Sequence, residues 1–112
     1  EGKPVNVHCE VITCAAPNIT SAAKVCGVDA TENEKALESR IRFIFDIAEA
    51  NRVETLILGA FGCGVFGQNP EMVGHYFSSF LHSRRYHFTK VIFAVIPGNE
   101  NYDKLKEGLS SI

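Results

Sequence analysis

Thr55-Leu56-Ile57-Leu58, then Gly59-Ala60-Phe61-Gly62-Cys63-Gly64-Val65-Phe66-Gly67-Gln68, then Asn69-Pro70-Glu71: these seventeen residues decide the fold. The first four form a continuous apolar run, the pattern of a strand covered on both faces. The last three form a helix start, with a side-chain acceptor at the N-cap, proline at the first helical position and an acid in the first turn. Between them four glycines fall within nine residues, from Gly59 to Gly67. A strand that passes through a glycine-dense loop into a capped helix is a unit of an α/β fold.

The same alternation of elements extends in both directions. Upstream, Leu37, Ile41, Ile44, Phe45 and Ala48 recur at helical spacing, with Glu34, Glu38, Arg42 and Glu49 on the opposite face. Thr31-x-x-Glu34 has the form of a capping box, which places the helix start just after Thr31. Residues 19–31 carry no clear period and read as a connection. Val5 to Thr13 alternates apolar and polar residues and is rich in β-branched side chains, so it is expected to be a strand, closed by Ala15-Ala16-Pro17-Asn18. Downstream, Val73, Tyr76, Phe77, Phe80 and Leu81 share one helical stripe. Lys90 to Ile96 reads as a further strand, stopped by Pro97-Gly98, and residues 101–109 as a last helix. The expected order is βαβαβα, and helical crossovers of this length imply parallel pairing.

The chain has 112 residues, with 11 Lys+Arg against 13 Asp+Glu and 46% hydrophobic residues. That length holds one domain. The composition excludes disorder, and no apolar run reaches a membrane span. Without a basic cluster there is no electrostatic footprint for nucleic acid. The cysteines, Cys9, Cys14, Cys26 and Cys63, are five, twelve and thirty-seven residues apart and form no CxxC pair, so free thiols in a cytoplasmic protein are expected, with no metal and no cofactor. Three parallel strands make a thin sheet, and the chain opens on Glu1 close to a strand. Residues 1–112 are therefore expected to be the C-terminal portion of a single larger domain. The alternative is a small domain complete as it stands. A sheet edge left open by missing strands would invite pairing with the absent half or with a second chain.

Glycine-rich backbone at the C-terminal end of a strand, followed by a helix start, favours a phosphate or pyrophosphate. The competing explanation is a tight strand-to-helix turn with no ligand. Gly62-x-Gly64-x-x-Gly67 matches the dinucleotide fingerprint GxGxxG. That fingerprint needs an acid about 20 residues on, at the end of the next strand. Here that distance falls at residues 85–88, before the strand begins.

The segment Gly59 to Gly67 resembles the diphosphate-binding loop of bacterial-type poly(ADP-ribose) glycohydrolases, a branch of the macrodomain superfamily. Val11-Ile12-Thr13-Cys14-Ala15-Ala16-Pro17-Asn18 is similar to the strand and turn that precede the loop there. The resemblance implies a macrodomain-like three-layer α/β/α fold, of which this chain is a C-terminal portion with a mostly parallel sheet. It also implies ADP-ribose or an ADP-ribosylated protein as partner. In this picture the backbone of Gly62, Cys63, Gly64, Val65, Phe66 and Gly67 wraps the pyrophosphate, Phe66 packs on the distal ribose, and Asn18 and Pro17 lie near the same crevice. The intact protein would then hydrolyse the ribose O-glycosidic bond. The family's catalytic signature, a triple-glycine loop followed by Gln-Glu-Glu, is absent from this sequence, so no catalytic residue is assigned in the chain. Glu10, inside the expected strand, does not replace it. A reader of ADP-ribose without turnover, and a Rossmann-like NAD(P) domain, stay open as alternatives.

Other residues have plainer explanations. Cys63 near a helix start could be an activated thiol, but no partnered base is identifiable, and a small packed residue is expected. His75 and His82 lie seven residues apart on one helix, about 10 Å along its axis, too far for one ion. Together with His87 they fit a solvated surface, and His8 fits a surface or an interface. Arg84-Arg85 fits a charge effect at a helix C-terminus, and Tyr76, Phe77 and Phe80 fit core packing.

Overall fold

A computed structural model describes residues 2–83 and 85–111. Arg84, half of the basic pair expected at a helix end, lies outside the described residues. The elements are α1 (Ile19–Val25), α2 (Ala30–Ala50), β1 (Thr55–Leu58), α3 (Pro70–His82), β2 (Lys90–Phe93) and α4 (Glu100–Leu109). β1 and β2 pair in parallel, with Thr55 opposite Lys90 and Leu58 opposite Phe93, so α3 is the crossover of a βαβ unit.

The core forms where the sequence periods converge. Leu37, Ile41, Ile44, Phe45 and Ala48 of α2 are all buried, together with Leu56 and Leu58 of β1, Val73 and Phe77 of α3 and Leu105 of α4. Phe45 is the hub. Its ring centroid lies 5.9 Å from that of Phe77, 6.0 Å from Phe80, 5.3 Å from Tyr86 and 5.9 Å from Phe88, distances typical of favourable aromatic pairs. Tyr76 is half-buried at the rim of the stripe and donates its hydroxyl to Glu34. No described helix is long and apolar enough to cross a membrane.

Four expectations need correction. Residues 5–13 form no strand, and Val5, Val7 and Val11 are 83%, 80% and 79% exposed. Their alternating pattern suits a pleated surface only when a neighbouring strand is there to meet it, and none of the described residues provides one. Only Ile12 and Cys14, near the end of the segment, pack against the core. Second, residues 19–25 are helical. This short helix buries no side chain and is started by Asn18, whose side chain accepts from the Ser21 amide at 3.1 Å, so it leaves no trace in the apolar period. Third, α2 begins at Ala30 because Asp29, a stronger cap than Thr31, accepts from the Glu32 amide at 2.8 Å. The last strand is also shorter than the apolar run. Its final contact with β1 is the Ala94 amide donating to the Leu58 carbonyl at 2.7 Å, and there β1 ends.

Candidate functional site

β1 delivers the chain to the loop, and the loop closes on itself through four main-chain bonds. The amide of Phe61 donates to Gly59, that of Cys63 to Ala60, that of Gly67 to Gly64 and that of Gln68 to Gly62, at 2.9–3.1 Å. Gly62 and Gly67 have φ of 72° and 75°, a left-handed conformation that glycine adopts without strain. Both are also sterically required. A Cβ at Gly62 would lie 2.6 Å from the Ala16 side chain, and one at Gly67 would collide with the Thr20 hydroxyl. Gly64 differs, because a Cβ there would meet nothing within 4 Å.

The folded loop leaves donors free. Among the described residues, the amides of Gly62, Gly64, Val65 and Phe66 donate to no protein acceptor. Main-chain amides converging from a glycine turn are an anion-binding arrangement. The start of α3 adds less than the sequence promised. Pro70 has no N–H, the Glu71 amide is taken by the Asn69 side chain at 3.0 Å, and the Val73 amide by the Asn69 carbonyl. Most free donors at this end therefore belong to the loop.

The residues expected to share the site with the loop are brought beside it. The Ile19 amide donates to the Phe66 carbonyl at 3.0 Å, which sets Asn18 against Phe66. The Asn18 Oδ1 is occupied in capping α1. Phe66 is half-buried and Val65 is 87% exposed.

One residue that sequence reasoning missed holds this arrangement together. Gln68 is 3% exposed, and its Nε2 donates to the Pro17 carbonyl at 2.7 Å and to Asn33 Oδ1 at 2.8 Å. Asn33 Nδ2 returns a bond to Gln68 Oε1 at 2.9 Å. This buried amide pair ties the loop to the Ala-Ala-Pro-Asn turn and to α2. The only hint in the sequence was an asparagine at position 33, next to the apolar stripe, where a helix interior disfavours it. Arg40 adds a bond from Nη1 to the Ala15 carbonyl at 2.6 Å.

Cys63 is buried, with its thiol 3.4 Å from the Phe61 carbonyl, and burial pushes its pKa up to about 11. A packed thiol with that pKa is no nucleophile at neutral pH. The histidines turn to separate partners: His75 Nδ1 to Ser111, His82 Nδ1 to the Ser78 carbonyl, His87 to Glu49. All four cysteines are free. A cavity of about 1090 Å³ reaches only the start of the loop, at Gly59, Ala60 and Phe61. It lies between residues 9–14 and β1.

No protein-family profile matches the chain, and no curated protein matches it. Solved structures do. The T267K mutant of a poly(ADP-ribose) glycohydrolase from Deinococcus radiodurans in complex with ADP-ribose is 30% identical, with a TM-score of 0.72 over 83% of this chain and 38% of that one. The Deinococcus glycohydrolase without that mutation, also in complex with ADP-ribose, is 29% identical, with a TM-score of 0.74 over 87% of this chain and 40% of that one. The glycohydrolase from Thermomonospora curvata is 28% identical, with a TM-score of 0.72 over 83% of this chain and 35% of that one. The chain thus spans well under half the length of the structures it matches.

Proposed function

Taking as premise a chain that is poly(ADP-ribose) glycohydrolase-like in fold over most of its length, we propose that it binds ADP-ribose and that the Gly62–Gly67 loop holds the diphosphate. The observation that carries this reading is the set of free amides at Gly62, Gly64, Val65 and Phe66. Amides donating to an anionic oxygen make short bonds roughly twice as strong as neutral ones. Phe66, half-buried and tied through its carbonyl to the Ile19 amide next to Asn18, is suited to pack on the distal ribose. Cys63 contributes its backbone only.

Residues 1–112 act, in this reading, as the C-terminal portion of a single macrodomain-like domain in the cytoplasm. Hydrolysis of the ribose–ribose or ribose–protein bond is the activity of a polypeptide that also carries the remainder of the domain. Glycosidic cleavage needs a positioned carboxylic acid at the scissile oxygen. We assign none in this chain, so the loop's part is to bind and orient.

Calorimetric titration of ADP-ribose into the folded chain tests the reading. Gly64→Val places a side chain at the open face of the loop, where its Cβ meets nothing within 4 Å and its bulk displaces ligand. Its expected effect is a loss of affinity of at least tenfold, about 1.4 kcal/mol, with an unchanged circular dichroism spectrum. Equal binding by the variant removes the loop from the site. Tighter binding of NAD than of ADP-ribose favours a dinucleotide-binding domain instead.

A further inference from the structure

Gln68 grips the loop twice. Its main-chain amide donates to the Gly62 carbonyl at 2.9 Å and closes the turn. Its side chain lies against the same residue, so that a Cβ on Gly62 would stand 2.9 Å from Gln68 Cγ. The far end of that side chain meets Pro17 and Asn33. A carbonyl only accepts, so the Pro17 oxygen requires Nε2 and not Oε1 to face it. With that end fixed, Gln68 and Asn33 meet as two primary amides, each donating to the other, at 2.8 and 2.9 Å. Turning one amide over would set oxygen against oxygen and nitrogen against nitrogen. Turning both would aim Gln68 Oε1 at the Pro17 carbonyl. All three bonds therefore exist in a single arrangement.

Neither side chain is available to a ligand. Gln68 is 3% and Asn33 8% exposed, and no buried side-chain nitrogen or oxygen among the described residues lacks a partner. The free amides of Gly62, Gly64, Val65 and Phe66 all lie in the stretch that Gln68 closes. We infer that Gln68 and Asn33 are positioning residues for the loop: without touching ligand, their interlocked amides aim the free main-chain donors before ligand arrives. A donor set ordered in advance binds more tightly than one that must be ordered on binding. This inference rests on the reading of the loop as a diphosphate site and deepens it, because affinity then depends on a hydrogen-bonded pair behind the site as well as on the amides in front.

A pair that only stabilises the fold would behave differently. Removing one amide leaves its partner buried and unsatisfied, whereas replacing both by apolar groups of similar shape is close to neutral for stability. Gln68→Met, Asn33→Leu and the double variant of the 112-residue chain use that difference. Urea unfolding should show both single variants destabilised and the double variant recovering most of the loss. Calorimetry should nevertheless show the double variant binding ADP-ribose roughly tenfold more weakly than the unaltered chain. Amide exchange, measured without ligand, should quicken by a similar factor at Cys63, Gly67 and Gln68, whose bonds close the loop, and stay unchanged in β2. A merely structural pair would restore affinity together with stability. A double variant that binds as tightly as the unaltered chain, or whose loop amides exchange at the original rate, overturns the proposal. Failure of the unaltered chain to bind ADP-ribose removes the diphosphate reading instead, and the exchange rates still decide whether the pair sets the loop.

Discussion

Burial raises the Cys63 thiol from an ordinary 9.0 to about 11, and that displacement has a sign that can be measured. An unfolded chain releases this proton as the pH passes 9, while the folded chain holds it until about 11. Between those values the folded state binds the extra proton, so stability falls as pH rises. Two pKa units correspond to something on the order of 2 kcal/mol, which should appear in urea unfolding at pH 8, 9.5 and 11 and shrink in Cys63→Ala. The same burial predicts selective chemistry. Iodoacetamide at pH 8 should label the exposed Cys9 and Cys26 in the native chain, and Cys63 only after unfolding. Gln68 shows how much of the site was hidden at this scale. Its side chain looked like a polar loop residue, and its role depends on Pro17 and Asn33, whose proximity only the folded chain establishes.

Among the elements, α3 and α4 are held closest. A Cβ on Gly74 would stand 2.5 Å from the Leu105 carbonyl, and one on Gly108 would collide with the Glu71 carbonyl. The two helices meet backbone to backbone. Gly108→Ala improves intrinsic helix propensity by about 1 kcal/mol and yet should lower stability by about 1–3 kcal/mol, because the collision is with main chain that cannot rotate aside. Thermal unfolding distinguishes the two, since propensity alone would raise the midpoint. Elements with an apolar stripe or a strong cap were legible in advance: α2 from its stripe, α3 from Asn69-Pro70-Glu71, β1 from its four apolar residues. The period failed where the partner surface lies outside the described residues, as for Val5 to Thr13. It also failed where a cap alone makes the helix, as for Ile19 to Val25. The glycine loop was legible as a loop, and its free amides were not, because which donors stay free depends on the turns the chain takes.

Across the whole molecule the loop is fixed by residues far from it in sequence. Pro17 and Asn33 hold Gln68, Ile19 holds Phe66, and Asn101 Nδ2 reaches the Cys63 carbonyl at 3.4 Å. The corresponding separations between side-chain partners are 51, 35 and 38 residues. Contacts of that span form only after most of the chain has been ordered, since loop closure must precede them. The segment from Gly62 to Gly67 therefore has no shape of its own to keep once the rest dissolves. Affinity for ADP-ribose and far-ultraviolet ellipticity should vanish at the same urea concentration, with no stage at which a loosened core still binds. Run in the other direction, the same coupling means that ligand saturating this one loop should shift the midpoint of the entire unfolding curve. The six residues then act as a handle on the cooperativity of the molecule, and bound ligand becomes a count of native chains.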